Sequence, residues 1–455
     1  MAIKDITAYA HLSSEDVEEI GRRFDAIEAR HRASLGAKDA AYIRNLIRSQ
    51  RGLDLLSRIG TVFAPALMGP AAATMGLAKI LENLEIGHNV MHGQWDWMND
   101  PEIHSGTWEW DNTGPSSGWK HSHNFSHHTF TNIIGMDNDI GYGVIRITRD
   151  RKWKPTTTLQ PLTNVVLAAL FEYAVAFYDV ELGRYFAGRQ SWEETKPRLM
   201  ETLRKVRSQM VKDYVAFPAV AAAVGFALAG TKGRRNEKGI KGFLGRKLNG
   251  AGKRRRVKGL SISVSQARID SAKRHAKKAA QAALFANLIR NVWAYAVIFC
   301  GHFPDDVETF TKRTLAEESK AEWYLRQMLG SANFRGGKVL TVLSGNLNYQ
   351  IEHHLFPDMP SNRLAAIARE VEKTAREFGL PYNTASFPRQ LWEVQRTILK
   401  LTLPNRFLRA PKWNAPEVRA DEVFERVPEV GAATGPRQLA HGLAKLKKLR
   451  PRVLA

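Results

Sequence analysis

The chain has 455 residues, 14 histidines, a single cysteine and a formal net charge of +22 at pH 7, and its mean hydropathy is −0.33. The lone Cys300 excludes an internal disulfide, a cysteine-ligated zinc site and a cysteine-ligated iron–sulfur cluster. This length suits two or three soluble domains or one membrane-embedded catalytic domain, and the charge raises anionic lipid or nucleic acid as partners.

The first half of the chain predicts a polar helical region followed by membrane-seeking stretches. Residues 1–51 form the polar region, in which Ser13 and Asp16 fit a helix capping box. Residues 52–230 are expected to be the first part of a membrane and catalytic domain. Its apolar stretch 52–87, broken at Gly69-Pro70, predicts a helical hairpin of two short spans or one re-entrant pair.

Two histidine-rich segments follow this hairpin. GHNVMHGQ supplies His88 and His92, whose four-residue spacing puts both side chains on one face of a helix. HSHNFSHH supplies a second group, His123, His127 and His128. Further apolar stretches lie at 158–179 and 214–230.

The second half carries a basic insert, a last apolar stretch and a third box. Residues 231–282 hold 17 Lys and Arg against two acidic residues, a local net charge of +15. We expect a disordered polycation there. Binding of anionic lipid is the main alternative, and nucleic-acid binding ranks below it because interleaved aromatic residues are missing.

Residues 283–410 complete the membrane and catalytic domain. The apolar stretch 283–303 contains His302 near its end, and NYQIEHHLFP supplies Gln350, His353 and His354. Residues 361–402 predict a soluble helical cap, and 411–455 a basic tail that is disordered from about residue 430.

These boxes predict a metal site at a membrane surface, because neutral imidazole is a good ligand for iron, copper, zinc and nickel. Iron fits best. A carboxylate-rich di-iron bundle would need two Glu-x-x-His pairs, and only Glu85 and His88 form a convincing one. Eight histidines exceed the needs of one metal, so two metals are the economical interpretation. Gln350 could be a weak ligand, hold bound water or support a ligand, and His302 could instead cap its helix.

Topology follows from the requirement that all ligands of one site lie on one side of a bilayer. If 158–179 crossed, His302 and the third box would lie opposite the first two boxes. We therefore predict an interfacial helix at 158–179 and an all-α integral membrane fold with four spans in two hairpins. A cytoplasmic helical cap would carry the di-iron site. The basic insert then lies outside, against the usual preference of Lys and Arg for the cytoplasmic side.

The strings GHNVMHGQWDW, HNFSHH and QIEHHLFP resemble the three histidine boxes of the membrane-bound fatty acid desaturases. Longer strings, such as WMNDPEIHS, NVWAYAVIFCGHFPD and WYLRQMLGSANF, are similar to the stearoyl-CoA 9-desaturases of mycobacteria and other actinobacteria within that family. The resemblance covers about residues 40–410 apart from the insert. It departs at Gln350, where the third box begins with glutamine as in Δ5/Δ6 desaturases, and at the insert, which is far longer than the family's connection.

The resemblance implies an oxidoreductase with two iron ions that uses O2 to place a cis double bond in an acyl-CoA, at Δ9 of stearoyl-CoA to give oleoyl-CoA. The metal-binding residues that the resemblance implies are His88, His92, His123, His127, His128, His302, Gln350, His353 and His354. Gln350 raises the alternative of a Δ6-type or linoleoyl desaturase, or a lipid hydroxylase on the same scaffold. The non-enzymatic alternative is a membrane-tethered polycation that binds lipid or nucleic acid through 231–282.

Electrons would come from a separate NADPH-dependent oxidoreductase, as the family uses. The sequence has neither a Gly-x-Gly-x-x-Gly fingerprint nor a His-Pro-Gly-Gly haem motif. Membrane lipid and acyl-CoA are the other expected partners, and nucleic acid is not expected. Because methylene groups offer no polar handle, we expect a narrow apolar tunnel. Its walls, or alternatively anchors in the lipid headgroups, would be Trp95, Trp97, Trp108 and Trp110.

Overall fold

The computed structural model describes residues 6–137, 139–236, 257–315, 318–408, 417 and 419–420. For 230–236, 257–265, 313 and 419–420 the description covers the backbone alone. The expected basic tail therefore lies outside the described residues, apart from Glu417 and the strand Arg419–Ala420.

The described fold is almost entirely helical. Its longer α-helices are Ser14–Ala33, Ala37–Phe63, Met68–Ile80, Gln160–Ala169, Phe171–Tyr178, Trp192–Val211, Phe217–Asn236, Val257–His302, Lys320–Leu329, Leu364–Glu377 and Phe387–Lys400. Short α-helical turns are Asn89–Met91, Ser116–Trp119, Leu182–Phe186, Lys338–Leu343 and Gln350–Leu355. Three π-helical segments are Leu81–His88, Lys120–His127 and Lys212–Ala216.

Tight 3₁₀ turns and two small parallel strand pairs complete the architecture. The turns are Thr7–Tyr9, Pro65–Leu67, Asp96–Met98, Ile140–Gly143, Pro155–Leu159, Lys312–Leu315, Leu347–Tyr349, Ser361–Arg363 and Asn405–Phe407. Glu308–Thr309 pairs with Arg419–Ala420, and Asn333–Arg335 pairs with Thr384–Ser386. The sheet content is too small to change the all-α class.

The chain divides into two compact units that interleave along the sequence. The first unit comprises Met1–Leu46, Ile80–Thr202 and Asn291–Ala455, and the second comprises Ile47–Lys79 and Leu203–Arg290. All candidate metal ligands belong to the first unit. The second unit packs small and apolar side chains, including Met75, Ala221, Ala283 and Ala286.

Among the residues that the structure describes, two helical stretches are long and apolar enough to cross a membrane, Trp192–Ala229 and Gln266–His302. Pro155–Ala169 and Phe171–Tyr178 would add a third if this pair, bent by 97°, counted as one span. Within the described residues, the predicted hairpin at 52–87 does not qualify. Met68–Ile80 has only 13 residues, and Arg51, Asp54 and Arg58 interrupt the apolar surface of Ala37–Phe63. These apolar helices support membrane association, and the count of four spans stays a prediction.

The basic insert is more ordered than expected. The helix Val257–His302 is 46 residues long, so 257–282 are helical where we expected a disordered polycation. The physical reason lies in SAKRHAKKAAQAAL, which is made almost wholly of residues with high helix propensity and has neither Gly nor Pro. Residues 237–256 lie outside the described residues.

The third histidine box shares a hydrophobic core with the helices Ser14–Ala33, Lys320–Leu329 and Leu364–Glu377. Ser13 and Asp16 form the predicted capping box at the start of Ser14–Ala33. Phe24 from this helix packs with Tyr324, and the same core contains Ile351 and Ile367. This packing fixes the short helix of the third box between flanking helices.

Candidate metal centre

The first histidine box lies where a helix changes its winding. The helix Met68–Ile80 continues as the π-helical turn Leu81–His88 and then one α-helical turn. A π-helical turn widens the backbone spiral and is frequent at functional sites. The rings of His88 and His92 lie side by side, with centroids 4.6 Å apart, as their spacing predicts.

The second box lies in a second π-helical turn, Lys120–His127, and His128 follows it directly. The rings of His123 and His127 stack with centroids 5.0 Å apart, and the ring of His128 lies 4.9 Å from that of His123. The Thr131 hydroxyl donates to the carbonyl of His127 at 2.8 Å. This bond ties the end of the π-helical turn to the next segment.

The third box is a single buried helical turn, Gln350–Leu355. Asn333 holds it from below: its Oδ1 accepts from the Ile351 amide at 2.9 Å, and its Nδ2 donates to Glu352 at 2.8 Å. Tyr382 also donates to Glu352, at 2.9 Å. These bonds set the direction in which the two histidines of the box project.

His127, His302 and His354 form one group of ligand atoms. Their Nε2 atoms are 3.0 Å apart between His127 and His302, 3.0 Å between His302 and His354, and 3.3 Å between His127 and His354. The Nδ1 of His302 donates to the Ile298 carbonyl at 2.8 Å, which leaves Nε2 with its lone pair. Three ring nitrogens this close suit a shared cation.

The second group has four members whose ligand atoms lie within 4.8 Å of one another: His88, His92, His123 and His353. His128 lies between the two groups, with its ring centroid 4.6 Å from that of His92 and 4.5 Å from that of His354. The structure therefore brings all eight predicted histidines into one region of the first unit, arranged as two neighbouring groups.

Carboxylates orient two of these imidazoles. The Nδ1 of His127 donates to Asp137 at 3.0 Å, and the Nδ1 of His123 donates to Asp139 at 3.0 Å. Asp137 also accepts from the backbone amides of Asn132, at 2.7 Å, and Asp139, at 2.8 Å. Such bonds fix the tautomer that leaves Nε2 free for a metal, a usual arrangement around metal-bound histidines.

Amide oxygens orient two more. The Nδ1 of His88 donates to Oδ1 of Asn89 at 2.9 Å, and the Nδ1 of His354 donates to Oε1 of Gln327 at 3.0 Å. Gln327 also donates to the carbonyl of His128 at 3.1 Å. One glutamine therefore links the second and third boxes.

Burial keeps most of these imidazoles uncharged. It lowers the pKa of His88 to about 4 and holds the pKa of five others well below the usual value, namely His92, His123, His128, His353 and His354. Burial acts on His127 in the same direction, but the carboxylates of Asp137 and Asp139 raise its pKa. Neutral imidazole is the form that binds metals.

The donor set fits a transition metal. Six imidazole nitrogens of the cluster are buried without a hydrogen-bond partner among the described residues: Nε2 of His92 and His123, and both nitrogens of His128 and His353. Buried polar atoms are normally paired, so these nitrogens need another kind of ligand. A set made mainly of imidazoles suits iron, copper, nickel or zinc and not magnesium or calcium.

An apolar cavity reaches both histidine groups. It touches His88, His123 and His302. Most of its wall surface is apolar and comes from Leu84, Trp110, Trp119, Tyr142, Phe171 and Val175, while polar side chains, among them Asp139, Glu172 and Asp179, also line it. The cavity is small, about 50 Å³, and the part of a hydrocarbon chain that entered it would lie directly against the metal-binding nitrogens.

The tryptophans expected as tunnel walls are placed differently from one another. Trp110 lines the cavity, whereas Trp95 is buried against Tyr42, with ring centroids 6.2 Å apart. Trp97 is 37% exposed, and Trp108 packs beside Trp110. Trp119, which was not among the predicted walls, lines the cavity and stacks on His123 with ring centroids 4.5 Å apart.

Gln350 lies against the group formed by His127, His302 and His354. Its Nε2 is 3.3 Å from Nε2 of His302, and it lines the apolar cavity. The absence of a side chain at Gly301 makes room for it, because a Cβ there would come within 2.9 Å of the glutamine. The structure thus brings Gln350 to the predicted site.

Glu85 is used elsewhere. Its carboxylate accepts from Tyr42 at 2.7 Å, Ser361 at 2.7 Å and Asn346 at 2.9 Å. The Glu-x-x-His pair noted in the sequence therefore joins the first box to other segments of the first unit. Asp137, Asp139 and Gln327 were not predicted, and the acidic string GMDND shortly after the second box is the signal that could have revealed the two carboxylates.

An imidazole cluster beside an apolar cavity, in a helical and membrane-associated chain, is the arrangement expected of a metal-dependent enzyme that acts on lipids. The model of the family described as "Fatty acid desaturase" matches residues 62–233 and 278–386, and the chain belongs to this family. The unmatched part between these ranges falls within the basic insert. The resemblance noted in the sequence is confirmed, and the chain is an oxidoreductase of the desaturase class.

Among characterised relatives, the NADPH-dependent stearoyl-CoA 9-desaturase of Mycobacterium tuberculosis is 44% identical over 426 residues, 93% of this chain and 89% of that protein. Fatty acid desaturase 3 of Homo sapiens is 26% identical over 113 residues, 25% of this chain and 24% of that protein. The Delta(5) fatty acid desaturase fat-4 of Caenorhabditis elegans is 32% identical over 109 residues, 24% of this chain and 23% of that protein. No solved structure matches this chain.

Proposed function

We propose that this protein is a di-iron acyl-CoA desaturase that introduces a cis double bond at Δ9 of stearoyl-CoA, using O2 and electrons from a separate NADPH-dependent oxidoreductase. The observation that carries the proposal is the apolar cavity that touches both histidine groups. The names of the 44% identical relatives support stearoyl-CoA, the 9 position and NADPH.

The two irons would be held by the eight clustered histidines, with Gln350 as a weak ligand or as support for His302. When bound, they supply the activation of O2 that removes two hydrogens from neighbouring methylene groups. The protein holds the metals through neutral imidazoles. Asp137 accepts from Nδ1 of His127, and Asp139 accepts from Nδ1 of His123. Each bond leaves the Nε2 atom of that histidine free to bind a metal.

The cavity walls select which bond reacts. A saturated chain has no group that a hydrogen bond could grip, so only shape and exclusion of water can place one C–C bond beside the metals. Trp110, Trp119 and Phe171 supply rigid surfaces for this purpose.

We also propose that the protein is a multi-pass membrane protein with four spans and a cytoplasmic catalytic face. The two long apolar helices support this topology. Lipid is the expected surrounding and nucleic acid is not an expected partner.

Product analysis tests the reaction. Vesicles containing the iron-loaded protein, an NADPH-dependent reductase, NADPH and isotope-labelled stearoyl-CoA should yield oleoyl-CoA, identified by mass spectrometry. No unsaturated product from protein shown to hold iron would overturn the proposal. A double bond at Δ6, or a product that retains oxygen, would support the alternative that Gln350 raised from the sequence.

Metal analysis tests the ligand set. His92→Ala, His127→Ala and His353→Ala should each lower the iron content from two per chain, because each removes a nitrogen from the cluster. His121→Ala is the matched control, since this exposed histidine lies in the same string but outside both groups. Equal iron content in all four variants would show that the cluster does not hold the metal.

A further inference from the structure

Tyr142 lines two separate spaces. One is the apolar cavity at the histidines, and the other is an open groove of about 590 Å³. This volume lies within the range of about 300–1,000 Å³ typical of small-molecule sites. The groove is lined mainly by apolar side chains, among them Val144, Leu167, Ala174, Phe177 and Leu182.

Arginines give the groove a positive charge. Arg184 and Arg189 line it together with Glu181. Glu181 pairs with Arg184 at 3.0 Å and with Arg198 at 2.8 Å, whereas Arg189 has no salt bridge among the described residues. An apolar groove with excess positive charge fits an amphiphile that carries a hydrocarbon chain and an anionic head.

The surface around the groove is apolar as well. The helices Gln160–Ala169 and Phe171–Tyr178 present large exposed side chains, with Leu162 65%, Val165 64% and Leu170 50% exposed, and Phe186 nearby in the chain is 80% exposed. The same bent helix pair is apolar enough for a bilayer. A surface of this kind in a membrane-associated protein faces lipid, which places the groove within reach of membrane lipids.

The wall between groove and cavity is held in a strained backbone. Gly141, Tyr142 and Gly143 have φ of 60°, 46° and 70°, a left-handed conformation that a bulky residue such as tyrosine rarely adopts. A Cβ on Gly143 would lie 2.6 Å from the ring of Tyr178. Strain of this kind persists where the surroundings enforce it, and it often marks a functional position.

Aromatic neighbours fix the ring of Tyr142. Its centroid lies 5.2 Å from that of Phe171, 6.0 Å from that of Phe299 and 6.1 Å from that of Tyr178. The turn and these rings keep the side chain where it borders both spaces. Tyr142 is therefore a fixed side chain shared by the two linings.

We propose that the groove binds one acyl chain of an anionic membrane phospholipid, with Arg189 and Arg184 beside its phosphate and Tyr142 separating that chain from the histidine cavity. The site is distinct from the metal centre, and its occupation requires neither metal nor turnover. A failed desaturase assay would therefore not count against lipid binding in the groove. Failure of lipid binding would likewise not count against the proposed desaturase activity.

Photolabelling in vesicles tests the occupant. The full-length protein is reconstituted with phosphatidylglycerol that carries a diazirine in one acyl chain, and in parallel with phosphatidylcholine or stearate that carries the same group. After illumination, labelled peptides are mapped by mass spectrometry. We expect phosphatidylglycerol to label the segments around Val144, Leu167 and Phe177 several-fold more than phosphatidylcholine does.

Two variants distinguish the contribution of the lipid's acyl chain from that of its headgroup. Ala174→Trp fills the groove and should abolish this labelling, whereas Arg189→Gln should lower labelling by phosphatidylglycerol several-fold and leave phosphatidylcholine unchanged. Lys373→Gln removes a cation whose side chain is 79% exposed, on Leu364–Glu377, and should change nothing. Because Arg189 is exposed, its variant decides the question even if the Ala174 variant does not fold.

Three results would overturn the proposal. Equal labelling by the two phospholipids would show that the headgroup is not recognised. Labelling by stearate alone would assign the groove to a free acyl acid. Undiminished labelling in a folded Ala174→Trp protein would place the lipid outside the groove.

Discussion

Asp137 links the second histidine box to the backbone that follows it. Its side chain is fully buried, and it accepts from Nδ1 of His127 and from two backbone amides. The carboxylate therefore shapes the loop and fixes the tautomer of a metal-binding imidazole at the same time. An asparagine here keeps the shape but has only one acceptor oxygen, so its NH2 group would face the amide N–H of either Asn132 or Asp139, and both the loop and the imidazole lose support.

Asp137→Asn should weaken iron binding by roughly 10–100-fold, because the imidazole loses the charge that orients it and strengthens its lone pair. Competition with a chelator measures this affinity, and circular dichroism shows whether the helical content is retained. Asp358→Asn is the control, since this half-exposed carboxylate forms a surface salt bridge with Arg32 and no other salt bridge among the described residues. Unchanged iron affinity in the Asp137 variant would show that His127 needs no carboxylate partner.

The sequence predicted the histidines of this site but not the groups that hold them. Histidines gathered in short strings are conspicuous because imidazole is uncommon and its metal chemistry is specific. Asp137 and Asp139 look like ordinary loop residues in the sequence, since aspartate is frequent in turns. Gln327 is about 200 positions from the second box, and only the folded chain shows that its amide spans two boxes.

At the scale of elements, the two π-helical turns explain how the first two boxes are presented. Gly87 stands inside the first of them, one residue before His88. A Cβ at this position would lie 2.8 Å from the carbonyl oxygen of Glu82 and 3.0 Å from Cβ of Trp110. The turn can thus pack against the cavity wall only because this residue has no side chain.

Gly87→Ala should destabilise the protein by about 1–3 kcal/mol, as an added carbon does in a tightly packed core. It should also reduce iron content, since either the turn or Trp110 must move. Gly52→Ala is the matched control inside Ala37–Phe63, where a Cβ meets nothing within 4 Å. That change should be neutral or stabilise by about 0.5–1 kcal/mol through helix propensity. Thermal unfolding measures both, and equal melting temperatures would contradict the tight fit at Gly87.

Helices were easier to predict than their irregularities. The capping box at Ser13 and the cap helices near 361–402 follow from local sequence rules, and the structure has them. A π-helical turn has no such sequence signal, because it arises where packing around a site outweighs ideal winding. The basic composition of 257–282 concealed a helix, since charge repulsion and helix propensity favour different outcomes there.

At the scale of the whole molecule, the histidine cluster limits the number of membrane crossings. Nε2 of His302 lies 3.0 Å from Nε2 of His127, so in the proposed membrane topology the chain between them must cross the bilayer an even number of times. Three apolar candidates lie between these residues: the bent pair within 155–178, Trp192–Ala229 and Gln266–His302. An even number of crossings means that at most two of these three candidates cross the bilayer. Two long crossing helices with an interfacial bent pair satisfy the condition, in agreement with the predicted role of 158–179.

The proposed topology predicts that residues 237–256, which lie outside the described residues, are on the face opposite the cluster. The surrounding segment 231–282 has a net charge of +15, and positively charged loops prefer the cytoplasmic side. The histidine geometry and the charge rule therefore make opposite predictions for one segment. We expect the geometry to prevail, because ligands of one site must share a side whatever the cost of translocating a basic loop.

Cysteine accessibility decides between them. The native Cys300 is buried, so it contributes little background. In intact cells a membrane-impermeant maleimide should label Asn249→Cys, whereas Lys373→Cys, on a helix of the histidine-bearing unit, should react only after lysis. If Asn249→Cys stays unreacted until the cells are opened, the two long helices do not form a crossing pair. The basic segment would then obey the charge rule, and the two-hairpin topology would be wrong.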